Sequence, residues 1–357
     1  MRLHIFILVF ASWILFFNAS PDLDAKGKLA SWINQARDGR EAYDRFDDDT
    51  QAIVLHSSSH KIYKGRGQIE TRVREAIHLK TRDFRERFQA AIPLSNDSQR
   101  IVDFDAWIIY PSGKIETFRK KDLVMVAASQ ETLFSEAQIM ILDRSYSARD
   151  DAIFAYEYTL AEKSVFLQTG WSFQDSLPTV YSQFSVSLPK DWSAKSYEMN
   201  SPNIESRARG TTYTWTSQNL PGVKDEPSRP PASQLYASIG VTIEPSEKDL
   251  KYEKSGIFSS WNDVAVYGDY VQQDRVAANE AILAKAKELV AGKNTQWEKV
   301  KAICEYTQSL NYVAVEMDLN SGGGYKPHKA TQVFERHYGD CKDMTVLTRS
   351  LLNCVGI

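Results

Sequence analysis

The sequence is poor in cysteine and close to electrical neutrality. Its 357 residues include 3 cysteines and carry a formal net charge of −3. Three cysteines are too few for a disulfide framework, and a nearly neutral chain lacks the basic surface that binds nucleic acid. We therefore expect no nucleic-acid partner. A hydrophobic fraction of 43% and a charged fraction of 25% are typical of a globular protein long enough for two or three domains.

Long uncharged apolar runs are also scarce, and the clearest one lies at the N-terminus. Ile5 to Phe17 follows the basic residue Arg2 and precedes the small and polar residues Asn18-Ala19-Ser20. This layout is typical of a secretory signal and is short for a membrane span. We predict a signal peptide over residues 1–20 and export to a bacterial periplasm. The alternative is an uncleaved anchor, and only then would the protein contact a membrane.

Residues 51–245 carry the signals of strands. Alternating apolar and polar residues from Ile69 to Leu79 predict a strand with one buried side. Turn residues such as Pro111-Ser112-Gly113-Lys114 separate further short apolar runs. We predict a mostly-β, antiparallel, sandwich-like domain over residues 51–245, preceded by a helical segment over residues 21–50.

The side chains of this β region do not form a catalytic pattern. Its histidines lack the spacing of metal ligands, so we expect structural or surface roles for His56, His60 and His78. Its strand aromatics fit a core better than a sugar- or peptide-binding groove. The residues concerned are Trp171, Phe173, Tyr181, Phe184, Tyr213 and Trp215.

The apolar period becomes helical from residue 276, after a linker over residues 246–275. Asn279 is expected to open one helix, and Thr295 with Glu298 forms a capping box that opens the next. The second of these helices is expected to bury Trp297. We therefore predict that residues 276–357 are mainly helical.

The last predicted helix begins at a cysteine. A Gly339-Asp340 turn places Cys341 on its first turn, where unpaired N–H groups and a positive dipole favour the nucleophilic thiolate. Taken alone, a small cysteine buried in the core explains this position better than catalysis does. Apolar residues then recur at the spacing of one buried helix face: Met344, Leu347, Leu351, Leu352 and Val355.

The order of motifs around Cys341 resembles a known family. Asn311-Tyr312-Val313, Gly323-Gly324-Tyr325-Lys326-Pro327 and Tyr338-Gly339-Asp340-Cys341-Lys342-Asp343 are similar to the first half of a bacterial transglutaminase-like domain. Upstream, Trp171-Ser172-Phe173-Gln174 and Tyr213-Thr214-Trp215 resemble the DUF3857 domain that commonly precedes it. The chain would then be multi-domain, with the β domain followed by the first, mainly helical part of an α+β, papain-like, transglutaminase-like domain over residues 276–357.

The resemblance implies that Cys341 is the nucleophile, with a histidine base and an Asp or Asn that orients it. It also makes Tyr325 a candidate substrate-cleft residue, although a plain aromatic of the cleft wall explains Tyr325 better. In the family the base follows the cysteine, whereas the six histidines here all precede Cys341. We therefore expect a C-terminally truncated fragment that is inactive because its His and Asp partners lie beyond residue 357. The apolar face of the last helix would then be exposed or paired with another chain.

Two functions are compatible with these observations. The first is an exported transglutaminase-like cysteine enzyme that acts on peptide or carboxamide bonds of a protein or peptide through a thioester, preferentially by hydrolysis and without a cofactor. The alternative is a non-catalytic periplasmic or surface binding protein that uses its β domain. A zinc site of Cys341 with His328 and His337 is disfavoured because the spacing fits no usual ligand pattern.

Overall fold

The computed structural model describes residues 29–46, 49–94, 99–127, 138–164, 166–200, 203–224, 226–250, 258, 260–313 and 326–357. Most of the described chain up to residue 244 is β-structure, and most of the rest is helical. The strands are β1 (Ala52–Gly65), β2 (Gln68–Leu79), β3 (Gln89–Leu94), β4 (Arg100–Ile109), β5 (Ile115–Arg119), β6 (Val124–Ala127), β7 (Gln138–Asp143), β8 (Ile153–Lys163), β9 (Gln168–Ser172), β10 (Thr179–Ser187), β11 (Ser193–Met199), β12 (Glu205–Arg209), β13 (Thr212–Leu220), β14 (Ser238–Glu244), β15 (Asn311–Tyr312) and β16 (Tyr338–Gly339).

The helices divide between a short N-terminal segment and the C-terminal part. They are α1 (Ser31–Arg37), α2 (Ala232–Leu235), α3 (Glu247–Leu250), α4 (Trp261–Gln272), α5 (Glu280–Val290), α6 (Gln296–Gln308), α7 (Ala330–Arg336) and α8 (Cys341–Asn353). A 3₁₀ helix over Asp38–Arg45 continues α1, within the segment predicted to be helical. The predicted signal lies outside the described residues. Among the helices that are described, none is both long and apolar enough to cross a membrane.

An eight-stranded sheet in the order β12-β13-β10-β1-β2-β8-β4-β5 forms the centre of the β region. Its neighbouring strands are antiparallel except for β1 and β10, which pair in parallel. The expectation of a purely antiparallel sheet is therefore wrong at this pair. Parallel neighbours need a long crossover, and here the intervening strands β2 to β9 supply it. The sheet is mixed.

Two smaller sheets cover one face of the large sheet. Ile69 and Ile77 lie eight positions apart on the regular strand β2, so their side chains point to the same face. Ile77 packs in one cluster with Ile92 of the sheet β3-β7-β6, and Ile69 packs in a second cluster with Ile239 of the sheet β11-β14-β9. Helix α1 packs on the opposite face through Trp32 and its neighbours. The layered, sandwich-like arrangement follows from these contacts.

The aromatic residues of the strands are mainly core residues, as predicted. Phe173, Phe184 and Trp215 are buried in the second cluster. Trp171 and Tyr213 pack against that cluster from its edge. Each ring removes a large apolar area from water and stabilises the contact between the two sheets.

The C-terminal helices pack around a core of their own. Asn279 and Thr295 cap α5 and α6 as the sequence predicts, each accepting a backbone N–H three residues later. The prediction that Trp297 is buried is wrong, because its side chain is 73% exposed. The shared core consists of Ile282, Ala286, Ile303, Ala330, Val333, Val346, Leu347 and Leu351. Since Leu347 and Leu351 are fully buried, the expectation of an exposed α8 face is also wrong.

Candidate active site

The segment before Cys341 is fixed by a short parallel ladder. Helix α7 is followed by His337, whose φ of 60° turns the chain out of the helix. Tyr338 and Gly339 then pair with Asn311 and Tyr312, and the carbonyl of Gly339 accepts the N–H of Val313 at 3.0 Å. The backbone that leads into α8 is therefore held on one side by β15.

Two carboxylates close the start of α8. The side chain of Asp340 accepts the backbone N–H groups of Lys342 at 3.1 Å and of Asp343 at 3.2 Å. In return, Asp343 accepts the N–H of Asp340 at 3.3 Å, which completes a reciprocal capping box. The Lys342 ammonium group also pairs with Asp340. Asp343 therefore serves the N-terminus of α8.

Asp343 also holds the loop that precedes α7, a contact that the sequence did not indicate. Its Oδ1 accepts the backbone N–H of His328 at 2.7 Å, and its Oδ2 lies 3.0 Å from His328 Nδ1. The Asp343 side chain is buried, so these bonds replace the water that the carboxylate loses on folding. His328 is therefore engaged by a structural carboxylate. His337, the other nearby histidine, packs its ring against Phe334.

Gly339 is required by this arrangement. A Cβ at position 339 would lie 2.6 Å from the Cβ of Asp343. Asp343 approaches this closely because its carboxylate reaches back over Gly339 to the N–H of Asp340. The glycine of the Gly-Asp-Cys-Lys-Asp motif thus provides space for the cap and not for an unusual backbone angle.

Cys341 lies at the helix start and is exposed, so the alternative of a buried core cysteine is wrong. The thiol borders a groove of about 470 Å³ between α6 and α8. No histidine or carboxylate is among the described residues that line it: Cys304, Thr307, Gln308, Leu310, Tyr312, Cys341, Met344, Thr345, Thr348 and Arg349. Arg349 connects the groove to α4, where it pairs with Asp269 at 3.1 Å.

The other candidates at the site are Tyr325, the two remaining cysteines and a metal ion. Tyr325, the candidate substrate-cleft residue, lies outside the described residues. Cys304 and Cys354 are free thiols. Within the described ranges, no group of three or more His, Cys, Asp or Glu side chains is placed to hold a metal ion. Of the chain's candidate functional residues, the structure thus places Cys341 beside a groove and ties His328 to Asp343.

The comparisons with known proteins cover both parts of the chain. Residues 65–224 match the family described as "Domain of Unknown Function with solved-structure structure (DUF3857)". This part of the chain is similar to DUF3857 domains. No curated protein matches the sequence.

A solved structure described as a "putative protease" from Parabacteroides distasonis has the same fold. The TM-score is 0.67 at 16% identity, and the alignment covers 86% of this chain and 59% of that one. The present chain therefore spans about three fifths of that structure's length. At this identity the likeness shows the fold alone, a mostly-β part followed by helices.

Two further solved structures are far less similar. Legionella pneumophila aminopeptidase A aligns over 55% of this chain and 22% of its own with a TM-score of 0.27 at 7% identity. Yeast LTA4 hydrolase aligns over 80% of this chain and 49% of its own with a TM-score of 0.29 at 10% identity. TM-scores this low support no conclusion about the fold or the function of this chain.

Proposed function

We propose that the protein is an exported, transglutaminase-like cysteine enzyme that cleaves peptide or carboxamide bonds. The observation that carries the proposal is the exposed Cys341 thiol at the first residue of α8, beside a groove. A helix start supplies unpaired N–H groups and positive potential, which stabilise a thiolate and the oxyanion formed by its attack. Hydrolysis in the periplasm is the form of the reaction that we propose.

The reaction would proceed through a thioester. The Cys341 sulfur attacks the carbonyl carbon, the C–N bond breaks, and the amine leaves with a proton donated by a general acid. Water then attacks the thioester carbonyl, and the thiolate leaves. Both steps need a group that takes up and returns a proton. Since no histidine or carboxylate is among the described residues that line the groove, we propose that residues elsewhere in the protein supply the base.

The test uses the protein at the length at which its own cells make it, with fluorescent casein as a general peptide substrate. We expect Cys341→Ser to lower hydrolysis at least 1,000-fold, in the range that loss of a nucleophile costs, while the thermal unfolding temperature stays unchanged. Cys354→Ser, a cysteine outside the groove, is the matched control that should retain activity. Casein turnover by Cys341→Ser at the wild-type rate would refute a nucleophilic role.

A binding protein without catalysis is the second candidate, and a cavity in the β region favours it. This cavity, lined by Glu75, Trp171 and other residues of the large sheet and its neighbour, has a volume of about 220 Å³. If casein and a panel of small amides are not turned over by the natural-length protein, while small ligands bind the β region, the second function replaces the first.

A further inference from the structure

A row of polar side chains separates the two cores on the covered face of the large sheet. Ser57 lies opposite Glu75 on β2 and opposite Ser182 on β10, so the three side chains share one face. On β2, Ile77 on one side of Glu75 belongs to the first cluster, and Ile69 on the other side belongs to the second. Glu75 therefore lies at the boundary between the two smaller sheets.

An ion pair closes this boundary from above. Arg87 ends the 3₁₀ turn before β3, and Asp175 follows β9, so each flanks a strand of a different covering sheet. Arg87 Nη1 donates to Asp175 Oδ1 at 3.3 Å, and Nη2 pairs with the other oxygen. The cavity of about 220 Å³ beneath the boundary is lined by Val54, Ser57, Glu75, Trp171, Ser172, Phe173, Gln174, Asp175, Thr179 and Tyr236.

When Glu75 and Asp175 are both ionised, they carry two negative charges. Arg87 supplies one positive charge, so one negative charge at this cavity is left without a partner. Burial raises the pKa of Glu75 to about 7, and Asp175 adds to the rise, whereas Arg87 and a hydrogen bond with Tyr156 oppose it. Burial would also raise the pKa of Asp175. The hydrogen bond and the charge of Arg87 outweigh burial and hold the pKa of Asp175 below its usual value. The unbalanced negative charge therefore belongs to Glu75.

We propose that this cavity binds the ammonium group of a small primary amine, such as a lysine side chain or a peptide N-terminus, against Glu75. A cation there restores the charge balance, and the partly exposed rings of Trp171 and Tyr236 provide walls that favour a cation with a short alkyl chain. The volume suffices, since a cavity of about 150 Å³ holds a benzene molecule. A divalent metal is a poorer occupant, because it requires more oxygen ligands than the single carboxylate of Glu75, which also bonds Tyr156, provides. The proposal does not depend on a reaction at Cys341.

The binding should depend on pH in a defined way. An ammonium ion binds the ionised carboxylate, and the other titratable groups that face Glu75 are Arg87, Asp175, Tyr156 and Tyr158. With a Glu75 pKa of about 7, the ionised fraction rises about tenfold between pH 6 and pH 8. We therefore expect n-butylammonium to bind about ten times more tightly at pH 8 than at pH 6. At pH 7, binding should release about half a proton per amine.

The experiment is calorimetric titration of the full chain with n-butylammonium chloride in buffers of different ionisation enthalpy. Glu75→Gln should lose binding at least tenfold at pH 8, while Glu70→Gln, the same change on the other face of β2, should bind as the wild type does. Butan-1-ol is the uncharged probe of similar size and should bind at least tenfold more weakly than the amine.

Equal affinity for butan-1-ol, equal affinity at pH 6 and pH 8, or unchanged binding by Glu75→Gln would each overturn the proposal. Absence of n-butylammonium binding at millimolar concentration by the folded wild type would do the same. Should Glu75→Gln fail to fold, the comparison of probes and pH values on the wild-type chain still decides.

Discussion

Gly339 offers the sharpest test of how the start of α8 is built. In Gly339→Ala, the new Cβ would lie 2.6 Å from the Cβ and 3.3 Å from the Cγ of Asp343. The Cβ of Asp343 is bonded directly to the helix backbone and cannot rotate away. Either the helix start moves, or the carboxylate loses its bonds to Asp340 and His328.

The free energy that Gly339→Ala costs can be estimated for each outcome, the movement of the helix start and the loss of the hydrogen bonds. Overpacking a filled site costs about 1–3 kcal/mol, and each hydrogen bond to a charged group contributes about 1.5–3 kcal/mol. Because the chain takes whichever route costs less, we expect the opening free energy of α8 to fall by about 1–3 kcal/mol. Backbone amides of α8 should then exchange roughly 5- to 150-fold faster in the native state.

The measurement is hydrogen exchange by mass spectrometry on peptides from the α7–α8 region. Gly240→Ala is the matched control, since Gly240 also lies in a strand and a Cβ added there would meet nothing within 4 Å. Its exchange in α8 should equal that of the wild type. The double variant Gly339→Ala with Asp343→Asn should cost less than the sum of the single variants, because both remove the same carboxylate contacts. Exchange in Gly339→Ala within threefold of the wild type would refute this account of the glycine.

Two further predictions concern the cap of α8 and the acid stability of the β region. Asp340→Ala removes the acceptor of two backbone N–H groups and should lower the free energy of unfolding of the helical part by about 1–2 kcal/mol in urea titrations, whereas Asp340→Asn should retain most of it. Burial lowers the pKa of His56 and of His78 to about 4, so the unfolded chain binds protons before the folded chain does and stability falls as the pH drops from about 6.5 to 4. The double variant His56→Gln with His78→Gln should therefore lose less stability over this window in urea titrations, and an unchanged slope would show that neither histidine is responsible.

Local signals in the sequence predicted the elements that depend on neighbouring residues. The alternation on β2 correctly assigns Ile69, Ile77 and Leu79 to one face, because the period of a strand is fixed by its backbone. The caps at Asn279 and Thr295 are equally local, since each side chain bonds an N–H three residues later. These predictions needed no knowledge of the rest of the fold.

Features that depend on distant residues were missed or wrongly predicted. The parallel pairing of β1 with β10 joins segments more than 100 residues apart, and nothing in either strand encodes the direction of its partner. Trp297 is apolar and at a suitable helical position, yet α6 turns that face to solvent. The Glu75 cavity arises where two covering sheets meet, so its polar row becomes visible only once both sheets are in place.

The residues on either side of Cys341 in the motif each have a structural role, whereas Cys341 does not. Asp340 and Asp343 cap α8, Lys342 pairs with Asp340, and Gly339 makes room for Asp343. The thiol of Cys341 makes no hydrogen bond to any residue that the structure describes, and it is exposed. Four neighbours thus have structural reasons for their identity, and the cysteine has none. An exposed free thiol contributes little to stability and is open to oxidation, so its place at the helix start supports the chemical role that we propose for it.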